Sequence, residues 1–577
     1  MDLRTMLDRP TEVETSAVDS VIGPPTGSNG RVAFGGHAAR AQRHLLLPAL
    51  HAVQDATGSV TRGALGYISD RLTVSPAEAY GVATFYALFN VDRKGGPTIH
   101  VCDDIVCTQY GANVLCSSLD SSGTEYERSP CLGQCDRAPA AMFHQPGNGY
   151  ANAAPVDSDS VGRITFDELS PGLIHQDLSQ LTLLRRIGVV DPSSLDSYIE
   201  SGGFQTLTKA REMGAEAVIG ELKASGLKGR GGAAFPIGIK WEGVRNATGD
   251  EKYVIANGDE SEPGTFKDRM LMEGDPFAVV EAMVIYGYAT GASQGYIYVR
   301  GEYPTAEKRL AGAIDQTKDA GLLGDFNLEV RRGAGAYICG EETALFASIE
   351  GHRGEPRQKP PFPTTHGVFG KPTGINNIET LLASLEVVAN GGDAFAAIGT
   401  EQSTGPKLFC VSGAVERPGV YEVTFGATLG ELLDLAGGVS DGRALGAILM
   451  GGAAGVFADD SALDVPLTFE HTRETGTTMG SGAIVFFDDQ TDFGPVLSRI
   501  AQFFRDESCG QCVPCRIGTV RQQESLERLL ANQTLGTVDD ENQRLSDLAM
   551  VMTDASICGL GQTASSAVQS ALRLGLV

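Results

Sequence analysis

The sequence predicts a multidomain α/β protein. It reads as an N-terminal helical bundle, a small α/β module, a larger α/β domain, a β-grasp-like module and a C-terminal helical bundle. Three observations carry this. The chain has 577 residues, and at ~150 residues per domain that predicts roughly four domains. Its hydrophobic period switches repeatedly between helix and strand spacing. Nine of its eleven cysteines gather in two groups, one towards each end. Hydrophobic residues at 42% and charged residues at 20% are ordinary globular usage and exclude a disordered chain.

Charge narrows the function. Asp plus Glu number 72 against 45 Lys plus Arg, for a net charge of −27. Such a field repels phosphate backbones and argues against a nucleic-acid partner, although a local positive site can still hold an anionic nucleotide. No apolar run approaches the ~18 residues of a membrane span, so no direct membrane contact is expected. The acidic start MDLRTMLDRPTEVE has no apolar core of a secretory signal. Eleven cysteines without an export signal are expected to stay reduced in the cytoplasm and to serve as metal or cluster ligands.

The elements follow in order. Residues 1–35, rich in Gly, Pro, Ser and Thr, show no period and read as a flexible tail or a partner-wrapping arm. Leu45, Leu46, Ala49, Leu50 and Val53 recur at helical spacing, and Ser75-Pro-Ala-Glu78 starts a helix running towards Leu88, giving a bundle over 36–95. Strands are expected at 97–102, 140–144 and 163–166, within a small α/β module over 96–178. Residues 179–400 form the larger α/β domain, mainly helical to about 250, with strands at 253–256, 295–300 and 328–331 and ligand loops at their carboxyl ends. Strands 407–415 and 419–425 read as a hairpin, followed by a helix at 429–436, in a β-grasp-like module over 401–490. The last segment, 491–577, is helical.

The cysteines carry the sharpest chemistry. Cys509-x2-Cys512-x2-Cys515, closed by the distant Cys558, follows ferredoxin logic for a [4Fe–4S] cluster; a structural zinc site is the alternative. Cys102-x4-Cys107 and Cys131-x3-Cys135 suit a [2Fe–2S] cluster, each iron taking two sulfurs, with zinc again the alternative. Cys116, Cys339 and Cys410 lack partners in sequence and read as small buried residues. Clusters move single electrons while nicotinamide moves a hydride, so a flavin is expected between them.

Ser225–Trp241 contains Gly229-x-Gly231-x-x-Ala234, a weak dinucleotide fingerprint, since no strand precedes it. Its glycines suit a phosphate cradle of another kind, with Lys228, Arg230 and Lys240 supplying positive charge. With this loop, Asn257–Arg269, Gly335–Leu345, Lys359–Pro363, Ile375–Thr380 and Ser508–Cys515 together resemble the NADH-binding flavoprotein subunit of respiratory complex I. The N-terminal quartet and the helices before it resemble that complex's thioredoxin-like [2Fe–2S] subunit, so nearly all of 36–577 is covered.

The resemblance implies FMN and NAD(H) sharing one site in 179–400, a thioredoxin-like [2Fe–2S] domain at 96–178 and a helical [4Fe–4S] domain at 491–577. Gly229, Arg230, Gly231, Gly232 and Lys240 would hold the FMN phosphate and nearby atoms. Asn257, Asp259, Glu260, Ser261, Tyr337, Gly340, Glu341, Asn376, Asn377 and Thr380 would line the flavin. Phe235 and Phe362 would stack on adenine, and Glu262, Glu341, Glu342 and Lys359 would contact the rest of NAD(H); Glu262 and Glu341 are the catalytic candidates. The chain departs from the family at Ala234, where glycine is usual, and after Trp241, where Glu242 and Gly243 replace an aromatic. The fused order resembles the diaphorase (β) subunit of an NAD-dependent formate dehydrogenase, whose partner α subunit would carry a molybdenum or tungsten pterin and further iron–sulfur clusters. An NAD-reducing hydrogenase or a fused complex I input module is the alternative, and a zinc scaffold with a degenerate nucleotide fold is a third.

Overall fold

The computed structural model describes residues 8–25, 41–91, 95–161, 165–166 and 169–577. Among the described residues the chain opens with α-helices at Glu12–Ile22, Leu46–Thr57, Arg62–Leu72 and Pro76–Ala83. Their starts are written locally: Thr11, Thr61 and Ser75 each accept a backbone N–H three residues on, and Pro76 stands in the first turn. The first helix corrects the expectation of a flexible tail over 12–22. Thr11 and Glu14 form a capping box, and Val18 is fully buried against the bundle. The rest of 1–35 lies largely outside the described residues. The helix from Pro76 ends at Ala83, short of Leu88.

Strands β1 (Thr98–Cys102), β2 (Glu127–Ser129), β3 (Ala141–Gln145) and β4 (Gly149–Ala153) form a sheet of order β2-β1-β3-β4. β1 and β2 run parallel and the other pairs antiparallel, with Cys102 opposite Ser129. That register brings the end of β1 beside the loop holding Cys131. The expected strand at 163–166 is absent at Thr165 and Phe166, and Arg163 and Ile164 lie outside the described residues.

β5 (Tyr253–Gly258), β6 (Gln294–Val299), β7 (Asn327–Arg332) and β8 (Thr373–Asn377) form a parallel sheet of order β7-β6-β5-β8. The helix Pro276–Thr290 is apolar nearly all round and almost wholly buried. The chain leaves β5 to one side towards β6 and fills the other side with β8, so the crevice between β5 and β8 is the topological switch point.

β9 (Pro406–Gly413), β10 (Gly419–Thr424), β11 (Leu445–Met450), β12 (Val456–Ala458) and β13 (Ala483–Asp488) form a mixed sheet of order β10-β9-β13-β11-β12, with β9 and β13 parallel. The helix Leu429–Leu435 buries Leu429, Leu432 and Leu433 in a core shared with Phe409, Val411, Ile484 and Phe486, which gives the β-grasp arrangement. Helices Phe493–Asp506, Val513–Leu530, Val538–Ala555, Gly559–Thr563 and Ser566–Leu574 finish the chain. One core joins the N-terminal bundle, the parallel-sheet domain and these last helices. Among the described residues no helix is long and apolar enough to cross a membrane.

Candidate functional site

The glycine-rich loop lies across the β5–β8 crevice. It closes on itself where the Gly229 N–H donates to the Phe235 carbonyl at 2.9 Å, and it is pinned where the Arg230 N–H donates to Thr380 Oγ1 at 2.8 Å. A Cβ on Gly231 would stand 3.1 Å from that of Asn377, and Gly232 has φ +110°, so neither tolerates a side chain easily. At its base the Lys240 Nζ donates to the Ile375 carbonyl at 2.9 Å, and burial lowers its pKa. Backbone N–H groups, an ammonium and no carboxylate in the loop form a donor set that fits the phosphate of FMN.

The loop after β5 forms the opposite wall. Asn257 Nδ2 donates to the Gly340 carbonyl at 2.9 Å, the Asp259 N–H to Asn257 Oδ1 at 3.1 Å, and Ser261 Oγ to Asp259 Oδ2 at 3.2 Å. A Cβ on Gly340 would meet the Asp259 carbonyl at 3.3 Å, so the two loops are in close contact there and a side chain at 340 would have to push them slightly apart. Burial pushes the Asp259 carboxyl well above its ordinary range.

Several expected site residues have side chains committed elsewhere. The buried Arg230 guanidinium donates to the Thr404 carbonyl at 2.6 Å and lies over the Phe425 ring, under the β-grasp domain. Glu260 accepts the N–H groups of Asp268 and Arg269 at 3.0 and 2.9 Å, which starts the helix Lys267–Gly274. Asn376, with its amide oriented to satisfy its neighbours, accepts from Trp241 Nε1 at 2.7 Å and Tyr286 Oη at 3.1 Å. Asn377 Nδ2 donates to Asp268 Oδ2 at 2.5 Å. Ala234, at the departure from the family pattern, takes a left-handed φ of +52°, the conformation that glycine adopts without strain.

At the outer rim Phe235 and Phe362 are 48% and 58% exposed, as an aromatic face waiting for a partner would be. Lys359 pairs with Glu341 at 3.0 Å and Glu342 at 2.6 Å. Glu341 also caps the helix Glu342–Ile349, accepting the N–H groups of Thr343 and Ala344 at 2.8 and 3.0 Å.

Tyr337 connects this site to the C-terminal cysteines. Its hydroxyl donates to Glu262 at 2.5 Å, and its backbone N–H donates to Glu507, two residues before Cys509, at 2.9 Å. Burial pushes the Glu262 and Glu507 carboxyls up to about 7. Cys509, Cys512, Cys515 and Cys558 line one small cavity with Ile338, Pro356, Ile557 and Leu560. Four sulfurs around one apolar void fit a [4Fe–4S] cluster. Cys512 immediately precedes the 18-residue helix Val513–Leu530, whose N-terminal N–H groups favour the negative charge of a thiolate cluster.

Cys102, Cys107, Cys131 and Cys135 are all buried. Cys102 lies within hydrogen-bonding reach of Cys107 and Cys131, and Cys131 Sγ stands 3.4 Å from Cys135 Sγ. The Gly133 N–H donates to Cys131 Sγ at 3.4 Å. Four converging thiols with a backbone donor fit a [2Fe–2S] cluster. Cys116, Cys339 and Cys410 are buried, as expected of small core residues.

Sequence reading missed the residues that hold these loops. Arg300 and Tyr303 bridge the flavin-side loop and the cysteine loop, and the Ala454 N–H donates to Glu262 at 2.7 Å from the β-grasp domain. Arg300 ends the expected strand at 295–300, so the carboxyl-end rule was the signal that could have found it.

Comparisons with known proteins agree with this geometry. Residues 222–385 match the Nuo51 FMN-binding domain and 495–574 the NADH-ubiquinone oxidoreductase-F iron–sulfur binding region. Residues 36–161 match the thioredoxin-like [2Fe-2S] ferredoxin and 408–452 the SLBB domain. The chain is 43% identical over 397 residues to the NADP-reducing hydrogenase subunit HndC of Solidesulfovibrio fructosivorans, covering 67% of this chain and 80% of that one. It is 41% identical over 401 residues to a subunit of the NADH-quinone oxidoreductase of Rhizobium meliloti, covering 68% of this chain and 94% of that one. A chain of an NAD+-reducing [NiFe]-hydrogenase in the air-oxidized state superposes with a TM-score of 0.79 at 31% identity, covering 92% of this chain and 93% of its own.

Proposed function

Because the chain belongs to the complex I 51 kDa-like family of NADH-binding flavoproteins, with a thioredoxin-like [2Fe–2S] domain fused ahead of it, we propose that it is the diaphorase (β) subunit of an NAD-dependent formate dehydrogenase. The family assigns the coarser activity: an FMN- and iron–sulfur-dependent NADH oxidoreductase subunit. The observation that carries the electron-transfer part of the proposal is Tyr337, which touches Glu262 beside the flavin crevice and Glu507 beside the [4Fe–4S] cavity; the formate assignment rests on the fused order. One residue thus separates the nucleotide site from the cluster site.

FMN, when bound, accepts a hydride from nicotinamide and releases electrons singly. The chain's own residues do the rest. Gly229, Gly231, Gly232 and Lys240 hold the phosphate, while Asn257, Asp259, Ser261, Gly340 and Thr380 shape the flavin crevice. Arg230, Glu260, Asn376 and Asn377 brace its walls through their other partners. Phe235 and Phe362 stack on adenine, and Glu341, Glu342 and Lys359 read the ribose and phosphate end. Glu262, held by Tyr337 and the Ala454 N–H, faces the nicotinamide. Cys509, Cys512, Cys515 and Cys558 would hold the [4Fe–4S] cluster that exchanges electrons with a partner α subunit bearing a molybdenum or tungsten pterin. The reading includes a cytoplasmic location, supported by eleven unpaired cysteines, eight of them in cluster sets.

A second reading has a specific observation behind it. The hydrogenase chain covers 92% of this one, so it carries the same fused order. Under that reading the partner oxidises hydrogen. The deciding experiment is purification with the native partner and assay of NAD+ reduction with formate and with hydrogen, alongside flavin and iron analysis. Formate activity supports the first reading and hydrogen activity replaces it with the second. A colourless protein without flavin or iron overturns both.

A further inference from the structure

A buried arginine joins the flavin-side loop to the [2Fe–2S] loop. Arg300 stands at the carboxyl end of β6 and is 3% exposed. Its Nη1 donates to the Glu260 carbonyl at 2.7 Å, and its Nη2 donates to the carbonyl of the ligand Cys131 at 2.7 Å. Glu302 holds the same guanidinium from another side, accepting from Nε at 3.1 Å and from Nη2 at 2.8 Å. The guanidinium lies over the Tyr303 ring at 5.1 Å, and the Tyr303 hydroxyl donates to Glu260 Oε2 at 3.2 Å. A Cβ on Gly133 would fall 2.2 Å from that hydroxyl, so the cysteine loop is closed tightly over this pair.

We propose that Arg300 is a positioning residue that tunes the reduction potential of the [2Fe–2S] cluster and fixes its loop against the flavin loop, with Glu302 as the opposing charge. The proposal rests on the [2Fe–2S] assignment of the Cys102, Cys107, Cys131 and Cys135 set. Reduction adds one electron to the cluster, so the site gains one negative charge. A buried cation favours that state and a buried anion opposes it. Arginine keeps its charge at any working pH. Burial keeps the interaction from being screened by salt. Outer-shell charge and hydrogen bonding are established levers on cluster potential. The forked geometry also lets one side chain hold two backbone carbonyls from different domains, which lysine cannot reproduce.

The test is a redox titration of the full chain, loaded with flavin and clusters, followed by the electron paramagnetic resonance signal of the [2Fe–2S] cluster. Arg300→Gln should shift the midpoint potential downward, Arg300→Lys should recover part of the shift, and Glu302→Gln should shift it upward. A purely structural role would not move the two charge-neutralising variants in opposite directions. If Arg300→Gln loses the cluster, Glu302→Gln still reads the charge effect. Shifts of the same sign, or an unmoved potential in Glu302→Gln, overturn the proposal. A wild-type chain without a [2Fe–2S] signal removes the cluster assignment itself and the proposal with it.

Discussion

Two carboxylates at the nucleotide site work in different ways, and their variants separate the two. Glu262 is half-buried, and desolvation pushes its carboxyl up to about 7 even though Tyr337 and the Ala454 N–H donate to it. The ordinary value is ~4.3, so the fold favours the neutral form. That contribution to stability is full below the unfolded pKa and is lost as pH rises through about 7. The melting temperature should therefore fall between about pH 4.5 and about pH 7 and level off above it, and fall less in Glu262→Gln. Parallel melting curves for the two proteins would show that Glu262 is not the titrating group. Glu260, Glu273 and Glu507 are raised to about 7 as well, so the variant should flatten the slope without abolishing it. Glu341, in contrast, is a helix cap paired with Lys359. Glu341→Ala should cost about 1 kcal/mol of stability as a lost cap, while Glu341→Gln, which keeps an acceptor, should cost less. Both should raise KM for NADH and leave flavin content unchanged. A wild-type KM in both variants would remove Glu341 from the nucleotide site.

At the scale of elements, the strands and helices that carry the clusters were legible because their signals are local. Short strand-like runs marked β1, β6 and β9, and Cys-x2-Cys-x2-Cys needs no tertiary context to suggest a cluster. The helix Glu12–Ile22 was missed because Gly, Pro and Ser in the surrounding residues masked its short apolar stripe, although the Thr11–Glu14 capping box was present in the sequence. Glu260 and Asn376 were assigned to the flavin through the family resemblance, not through any contact legible in the sequence. Their partners, the helix start at Asp268 and the Trp241–Tyr286 pair, become visible only once the chain has folded. Gly133 shows the same limit, since its need for glycine comes from Tyr303. With φ +66° and no room for a Cβ, Gly133→Ala should displace the cysteine loop and lose two of the about six irons expected from the two clusters. Retention of all the irons would mean that the loop relaxes freely. Cys512→Ser acts on the other cluster. It should abolish electron exchange with the partner subunit and spare NADH oxidation by small acceptors that the flavin reduces directly. Loss of both activities would show that the cluster also holds the fold.

At the scale of the whole molecule, the parallel-sheet and β-grasp domains are joined by buried charges that no local pattern announces. Lys267 pairs with Asp268 at 2.8 Å and with Glu379 at 3.0 Å, and Glu379 pairs with Lys407 on β9 at 2.8 Å. Glu379 also accepts the Leu408 N–H at 2.9 Å, so its two oxygens serve both domains. All three of Lys267, Glu379 and Lys407 are almost fully buried. In sequence, Lys407 and Glu379 are ordinary surface-type residues 28 positions apart. The domain list was therefore readable while the lock between the domains was not. The two lysines hold Glu379 in its charged form despite burial, whereas burial brings Lys407 down to about 8. Removing Glu379 leaves Lys407 as an uncompensated buried charge, while Lys267 keeps Asp268. Glu379→Ala should thus destabilise the chain by about 3–5 kcal/mol in denaturant unfolding. Adding Lys407→Met should recover part of that loss, because the orphaned charge leaves with the lysine. If the single variant costs less than about 1 kcal/mol, or the second substitution recovers nothing, apolar packing rather than this ion network joins the two domains.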